Sequence, residues 1–136
     1  MKKLSAVLAA VGLVLGGATL TGCAGGPAVE CGGKANNVHH SSGTSSSMDG
    51  KVTGSCTAAV SINGYVEIQQ KTSRGWVSIK RTSFSLVSTP NKKFTRMAAT
   101  KCRKGTFRLH SHVVGTYKGQ SQTRNSTSGQ TKNPCV

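Results

Sequence analysis

Apolar side chains recur at every second position between residues 51 and 118, in short runs separated by turn-forming residues. Residues 56–62 alternate in this way, and residues 65–71 do so again after Asn63 and Gly64. Period two is typical of strands with one buried face. No stretch after the first 23 residues has the i, i+3, i+4 spacing of an amphipathic helix. The pattern predicts an all-β chain folded as a small antiparallel β-sandwich or barrel, and we expect the sandwich.

Turn residues divide this region into candidate strands. Asn63-Gly64 is a hairpin signal because both residues tolerate a positive φ, and Ser73–Gly75 predicts a second turn. Strands are expected over Phe94–Lys101 and Thr106–Val114. The polar stretch Gln120–Lys132 is expected to be a loop or an edge strand.

The strand Thr106–Val114 has two different faces. Because strand side chains alternate, Arg108, His110 and His112 share the face opposite the apolar one. We expect a solvated polar face there. His110 and His112 are weak candidates for a metal site because a zinc ion needs a third or fourth ligand, which His39-His40 could supply only by folding back. We therefore expect neither a metal nor a cofactor.

The chain begins with a short basic start, Met1–Lys3, and an apolar run from Leu4 to Leu20. This arrangement is typical of a secretory signal peptide. The Gly16-Gly17 break leaves fewer than the ~20 apolar residues that a transmembrane helix needs. We expect residues 1–22 to be removed on export.

The run ends in Leu20, Thr21, Gly22 and Cys23. These four residues resemble the lipobox of bacterial lipoproteins, and the resemblance covers residues 1–23. It implies that the chain is cut before Cys23 and that the Cys23 thiol carries a diacylglyceryl group. Stable anchoring needs two or more fatty chains such as palmitate, because one chain binds a membrane only marginally. The alternative is a plain secretory signal with Cys23 in a disulfide.

The cysteine count agrees with this interpretation. Five cysteines in an exported chain leave an odd thiol, and assigning Cys23 to lipid leaves Cys31, Cys56, Cys102 and Cys135. In an oxidising compartment, four thiols predict two disulfides with three possible pairings. We expect Cys56–Cys102 within the sheet and Cys31–Cys135 joining the two ends. No C-x₂₋₄-C spacing supports a zinc site.

The order Cys56, Trp76, Cys102 resembles the Cys–Trp–Cys arrangement of immunoglobulin-like β-sandwiches over about 50 residues. Thr100 stands where that pattern has a tyrosine, so the resemblance implies the architecture of a sandwich and no closer relationship. It implies a core position for Trp76.

Composition divides the mature chain into two parts. Residues 23–50 are rich in Gly, Ser, Ala and Asn, including the run 41–47, and such a segment buries too little apolar surface to order itself. We expect a flexible lipid-anchored tether over residues 23–50 and a basic β-sandwich domain over residues 51–136.

The charge is strongly one-sided, because 136 residues include 18 Lys or Arg and only 3 Asp or Glu. Removal of Lys2 and Lys3 with the signal leaves a formal charge of +13. Such a field attracts polyanions with a steep salt dependence. We expect two groups of anion-binding residues, and these are Lys101, Arg103, Lys104 and Arg108 in the first and Lys92, Lys93 and Arg96 in the second.

These features favour a binding or structural protein over an enzyme. Three carboxylates leave little material for paired-acid catalysis, and no G-x-S-x-G nucleophile motif occurs. We expect a non-catalytic cell-surface module that contacts anionic envelope polymers or acidic lipids. The alternatives are a protein-binding module, such as an inhibitor or an accessory subunit of an envelope complex, and a small exported hydrolase such as a ribonuclease.

The same features predict where the protein works. We expect it on the outward face of the cell membrane, held by its lipid. Ala24 after the acylated cysteine would also permit sorting to the outer membrane of a two-membrane bacterium. Sequence-specific nucleic-acid binding is not expected, because aromatic residues for base stacking are scarce.

Overall fold

The computed structural model describes residues 17–21, 28–43 and 46–136, and it is an all-β sandwich of two antiparallel sheets. Sheet A contains β1 (Gly17–Thr21), β2 (Ala28–Ala35), β3 (His39–His40), β4 (Ser47–Cys56) and β7 (Phe94–Lys101). Sheet B contains β5 (Ser61–Thr72), β6 (Gly75–Val87), β8 (Thr106–Tyr117), β9 (Gln120–Thr127) and β10 (Thr131–Lys132). The predicted fold class is confirmed.

Each sheet is built around central strands. In sheet A, β4 pairs with β7 along one side and with β2 and β3 along the other. In sheet B, β5 lies between β6 and β8, and β8 also pairs with β9 and β10. β1 pairs with β2. Among the described residues, no helix is long and apolar enough to cross a membrane.

The core lies between the sheets in two clusters, because alternating positions of β4, β5 and β8 point inward. The larger cluster contains Val38, Met48, Val52, Val66, Ile68, Ala98, Phe107 and Leu109. The smaller one contains Val29, Cys56, Val60 and Ile62. Phe107 and Leu109 are fully buried, so the predicted faces of β8 are confirmed.

The predicted tether is wrong for much of its length. β2, β3 and the first residues of β4 belong to sheet A, although they fall within residues 23–50. Val29, Val38 and Met48 are buried in the core. The backbone hydrogen bonds of a strand do not depend on side chains, and a disulfide holds β2 to β4, so a Gly-rich segment is ordered here without an apolar pattern of its own. The sandwich therefore begins at or before residue 28, well ahead of residue 51.

Both disulfides exist, but the expected pairing is wrong. The bonds are Cys31–Cys56 and Cys102–Cys135, with Cα–Cα distances of 4.1 and 6.0 Å. Cys31 and Cys56 lie directly opposite each other on β2 and β4. The expected Cys56–Cys102 bond fails because β4 and β7 are antiparallel, which places Cys56 and Cys102 near opposite ends of sheet A.

Two turn predictions had different outcomes. The Ser73–Gly75 turn is confirmed: Gly75 has a φ of 100°, and the Thr72 hydroxyl donates a hydrogen bond to the Gly75 carbonyl at 2.8 Å. The Asn63-Gly64 turn is wrong, because both residues lie inside β5. A Cβ at Gly64 would collide with the backbone carbonyl of His112, so this glycine permits close approach of β5 and β8.

Two predictions on the N-terminal segment fall mainly outside the described residues. Cys23, the expected lipid acceptor, lies outside the described residues, and so does most of the expected signal peptide 1–22. The remaining part of that segment, residues 17–21, forms β1.

Candidate functional site

The sandwich has two ends, which are defined by where its strands begin and finish. The proximal end contains residues 57–61, 87–93 and 116–120. It is held together by pairing of Ser61 with Val87 and Thr116, and by the Asn91 amide, which donates to the Cys56 carbonyl at 2.7 Å. The distal end contains the β5–β6 turn at residues 72–75, the loop 102–105 and the start of β8.

The two predicted groups of cations lie at opposite ends. Lys92 and Lys93 precede β7 at the proximal end, and Lys101 ends this strand at the distal end, opposite Ser47. The eight residues of β7 extend over ~25 Å. This distance is about three Debye lengths at physiological salt, so the electric fields of the two groups are largely screened from each other.

The distal end contains more cations than the sequence pattern predicts. The predicted residues there are joined by side chains from the β5–β6 turn and from β10. The full set, which we call the distal cations, is Lys71, Arg74, Lys101, Arg103, Lys104, Arg108 and Lys132.

Direct contacts connect two arginines of this set, and the backbone of Lys104, to the end of β5. Arg108 Nε donates to Gln69 Oε1 at 2.7 Å, and Arg103 Nη1 lies 3.5 Å from Gln70 Oε1. Gln70 Nε2 lies 3.5 Å from the Lys104 carbonyl, and this loop continues directly from the Cys102–Cys135 disulfide. Arginine side chains with fixed orientation present their remaining N–H donors in a defined direction.

Trp76 belongs to this end of the molecule. The guanidinium carbon of Arg108 lies 4.2 Å from the centre of the Trp76 ring, which is a cation–π contact on the outer face of sheet B. Trp76 is half-buried and belongs to neither core cluster. The expected core position is therefore wrong, because the register of β6 pairs Trp76 with Lys71 on the outer face.

A carboxylate lies in the middle of the same face. Glu67 is 3% exposed, and its Oε1 accepts hydrogen bonds from Arg81 Nη2 at 2.8 Å and Nε at 3.0 Å. Its Oε2 accepts from Gln69 Nε2 at 2.6 Å. Burial alone would raise the pKa of Glu67, but hydrogen bonds from Arg81, Gln69 and Ser78 and the charge of Arg81 outweigh it, so the pKa lies below its ordinary value.

The two histidines of β8 flank this carboxylate and Tyr65. His112 stacks on the Tyr65 ring with centroids 5.5 Å apart, and its Nδ1 donates to Asn125 Oδ1 at 2.8 Å. Desolvation lowers the pKa of His110, and the nearby charges of Arg108 and Arg81 reinforce the effect against the attraction of Glu67. His110 is therefore held in its neutral form at neutral pH.

The histidine pair does not assemble a metal site with the other described residues. Within the described part of the chain, one group of three potential ligands lies within 4.8 Å of one another, and it consists of His40, Cys102 and Cys135. Its two sulfur atoms are joined in the disulfide. His39 is committed elsewhere, with its Nε2 3.4 Å from Asp49 Oδ1.

The carboxylates leave the distal cations unpaired. Among the described residues, the ion pairs are Arg81–Glu67 and His39–Asp49, and neither involves a distal cation. The distal end therefore combines seven positive side chains, one half-buried tryptophan and no ion-pair partner. This arrangement suits an extended anion.

No known family model, curated protein or solved structure matches this chain. Its function is therefore inferred from its own residues.

Three cations of the outer face and the distal end were not assigned to a site from the sequence. Lys71, Arg74 and Arg81 come from β5, β6 and their turn, and they reach the outer face through the pairing of β5 with β6 and β8. Predicting them requires the register, which alternation within one strand does not define. The sequence could have identified Lys71 and Arg74 as neighbours, since they flank one predicted turn.

Proposed function

We propose that this protein is exported, cut before Cys23 and held by lipid on Cys23, and that it binds anionic polymers of the cell envelope without catalysis. The residues Leu20–Cys23 support the anchor, and the two disulfides fit an oxidising compartment. Cleavage would remove β1, a strand paired with β2 along one side, and would leave the other strand pairings of the sandwich in place.

The observation that carries this proposal is the unpaired distal cations. A charged polymer that approaches them releases counterions and gains charge-assisted hydrogen bonds from the guanidinium groups. Arg103 and Arg108 are already oriented by Gln70, Gln69 and Trp76, so less side-chain freedom is lost on binding.

Non-catalytic binding agrees with the chemistry of the outer face. Both carboxylate oxygens of Glu67 accept hydrogen bonds from neighbours, and His110 and His112 are bonded to Thr127 and Asn125. These groups form a connected structural network around the face.

Retention on isolated cell wall, measured from low to moderate salt, tests the proposal. We expect the variant R103Q/K104Q/R108Q to lose at least tenfold in retention, and the slope of log affinity against log salt to fall by about 2, because each phosphate contact contributes ~0.7–0.9. The matched control is K34Q/K51Q/K80Q, which removes the same charge outside the distal cations.

Equal losses in the two variants would contradict a distal site, because net charge alone would then explain retention. Retention that salt does not change, together with one stoichiometric partner on cross-linking, would support a protein-binding module instead. An unacylated Cys23 in mass spectra of the native protein would overturn the anchor.

A further inference from the structure

The position of Ala28 limits how far the domain can lie from its anchor. If Cys23 is acylated, as proposed above, five residues connect the lipid to the first residue of β2. Five residues extend over at most ~18 Å. The sandwich is therefore held close to the bilayer, whereas a tether of 28 residues would have let it move freely.

The register of β2 defines which end is held there. Cys31 lies opposite Cys56, and the Thr57 amide donates to the Glu30 carbonyl at 2.9 Å. Residues 28–30 therefore lie beside the end of β4, at the proximal end. The distal end lies on the far side of the sandwich, because the twelve residues of β5 separate the two ends by ~35 Å.

The proximal end carries exposed lysines from both sheets. Lys92 and Lys93 follow the β6 strand, and Lys93 lines a groove with Gly54 and Ser55 of sheet A. Lys118 lies in the β8–β9 turn of sheet B, with its ammonium group 5.4 Å from the centre of the Tyr117 ring. We call Lys92, Lys93 and Lys118 the proximal lysines.

Few groups oppose these charges. Among the side-chain carboxylates of the described residues, Glu30 is the one near the proximal end. Asp49 and Glu67 are paired with His39 and Arg81. Val87 is 66% exposed at the same end. Exposed lysines beside an apolar side chain and a tyrosine are the groups that a headgroup layer accommodates.

We propose that the proximal end docks on anionic headgroups of the membrane that carries the anchor, so that the distal cations point away from the bilayer. The proposal rests on the acylation of Cys23. Lysines near an anionic surface strengthen binding about fivefold each, but only within roughly a Debye length of 8 Å. The short link supplies the necessary proximity, and the distal cations are too far away to take part.

Lysine footprinting of the native acylated protein in vesicles tests this orientation. The protein is reconstituted into vesicles of phosphatidylglycerol mixed with phosphatidylcholine, or of phosphatidylcholine alone, and is acetylated briefly. Mass spectrometry then gives the rate at each lysine. We expect the proximal lysines to react at least threefold more slowly on the anionic vesicles, and Lys101, Lys104 and Lys132 to react equally on both.

The matched variants are K92Q/K93Q/K118Q and K101Q/K104Q/K132Q, which remove the same charge from opposite ends. Lys34, an exposed lysine that lines the same groove as Lys93, reports on protection when the proximal lysines are absent. We expect the proximal variant alone to lose protection of Lys34 from acetylation on anionic vesicles, and we expect 0.5 M salt to have the same effect on the unmodified protein.

The outcomes separate the two proposals. Proximal lysines that react as fast on anionic vesicles as on phosphatidylcholine, with Cys23 acylated in the same sample, would overturn the docking proposal and leave the anchor intact. A Cys23 without lipid would overturn the anchor, and the docking proposal with it. Protection on both kinds of vesicle would also overturn it, because contact would then not depend on anionic headgroups.

Discussion

The two ends of this sandwich carry the same sign of charge in different chemical forms. At the distal end, Arg103 and Arg108 contact Gln70, Gln69 and Trp76. At the proximal end, the described structure assigns no hydrogen bond or ion pair to the ammonium groups of the proximal lysines. Fixed guanidinium groups present directed donors, whereas free ammonium groups act as mobile point charges.

This difference suggests what each end can recognise. A directed pair of N–H donors binds most strongly to phosphate or carboxylate groups at defined positions on a polymer. Mobile point charges are attracted to a surface whose anionic groups themselves diffuse, such as a layer of lipid headgroups. The position of the cations alone would assign the same role to both ends, and their side-chain contacts distinguish them.

The largest expected effect comes from the disulfides, since each end has one. Cys31–Cys56 closes a separation of 25 residues and Cys102–Cys135 one of 33. Both C31A/C56A and C102A/C135A should lower the free energy of unfolding by ~3 kcal/mol in urea. Only C102A/C135A should also lower wall retention, severalfold at a temperature where both variants are folded, because it frees the loop with Arg103 and Lys104.

The two disulfide variants serve as each other's control. Loss of retention in both variants to the same extent would mean that general loosening of the sandwich, and not the distal loop, weakens binding. The comparison of the two ends would then lose its structural basis.

Local sequence patterns predicted the strands better than their partners. The strand at Phe94–Lys101 has the predicted bounds, and the alternation in β8 correctly separates Phe107 from Arg108. Alternation reports which side of one strand is buried. It does not report which strand lies alongside, so the predictions of the disulfide pairing and of the position of Trp76 were wrong. Both depend on register between segments far apart in the chain.

The tether shows a second limit of sequence patterns. Residues 28–35 contain few large apolar side chains, yet they form a strand because β4 supplies hydrogen-bond partners and Cys56 supplies a covalent bond. Neither contribution is visible within the segment. Composition was a poor guide because it measures only what the segment itself can bury.

A smaller effect is expected at Glu67, which lies between the two ends. E67Q should lower the free energy of unfolding by ~1–3 kcal/mol at pH 7, because it leaves Arg81 without its partner. Since the folded-state pKa of Glu67 lies below 4.5, its contribution is present above pH 4.5 and is lost as the pH falls further. Urea unfolding from pH 7 to pH 3 should therefore show a weaker acid dependence in E67Q.

Gln69 offers a control for this measurement. Q69L removes the hydrogen bond to Glu67 Oε2 but keeps the charge pair with Arg81, so part of the acid dependence should remain. An E67Q protein with the same acid dependence as the unmodified chain would show that Glu67 does not stabilise the face between the ends. Wall retention should change little in E67Q, because Arg81 lies outside the distal cations, whereas Q69L also removes the acceptor of Arg108 Nε.

The smallest effects are expected from reciprocal conservative substitutions. These substitutions directly compare a guanidinium group with an ammonium group at each end. R108K keeps the charge but loses the planar fork that bonds Gln69 and covers Trp76, so wall retention should fall about threefold, in keeping with ~0.5–1 kcal/mol for an exposed cation–π contact. K93R exchanges one cation for another in a diffuse field and should leave vesicle protection unchanged. If R108K retained full binding, the distal end would also act as a set of point charges, and only distance from the anchor would distinguish the two ends.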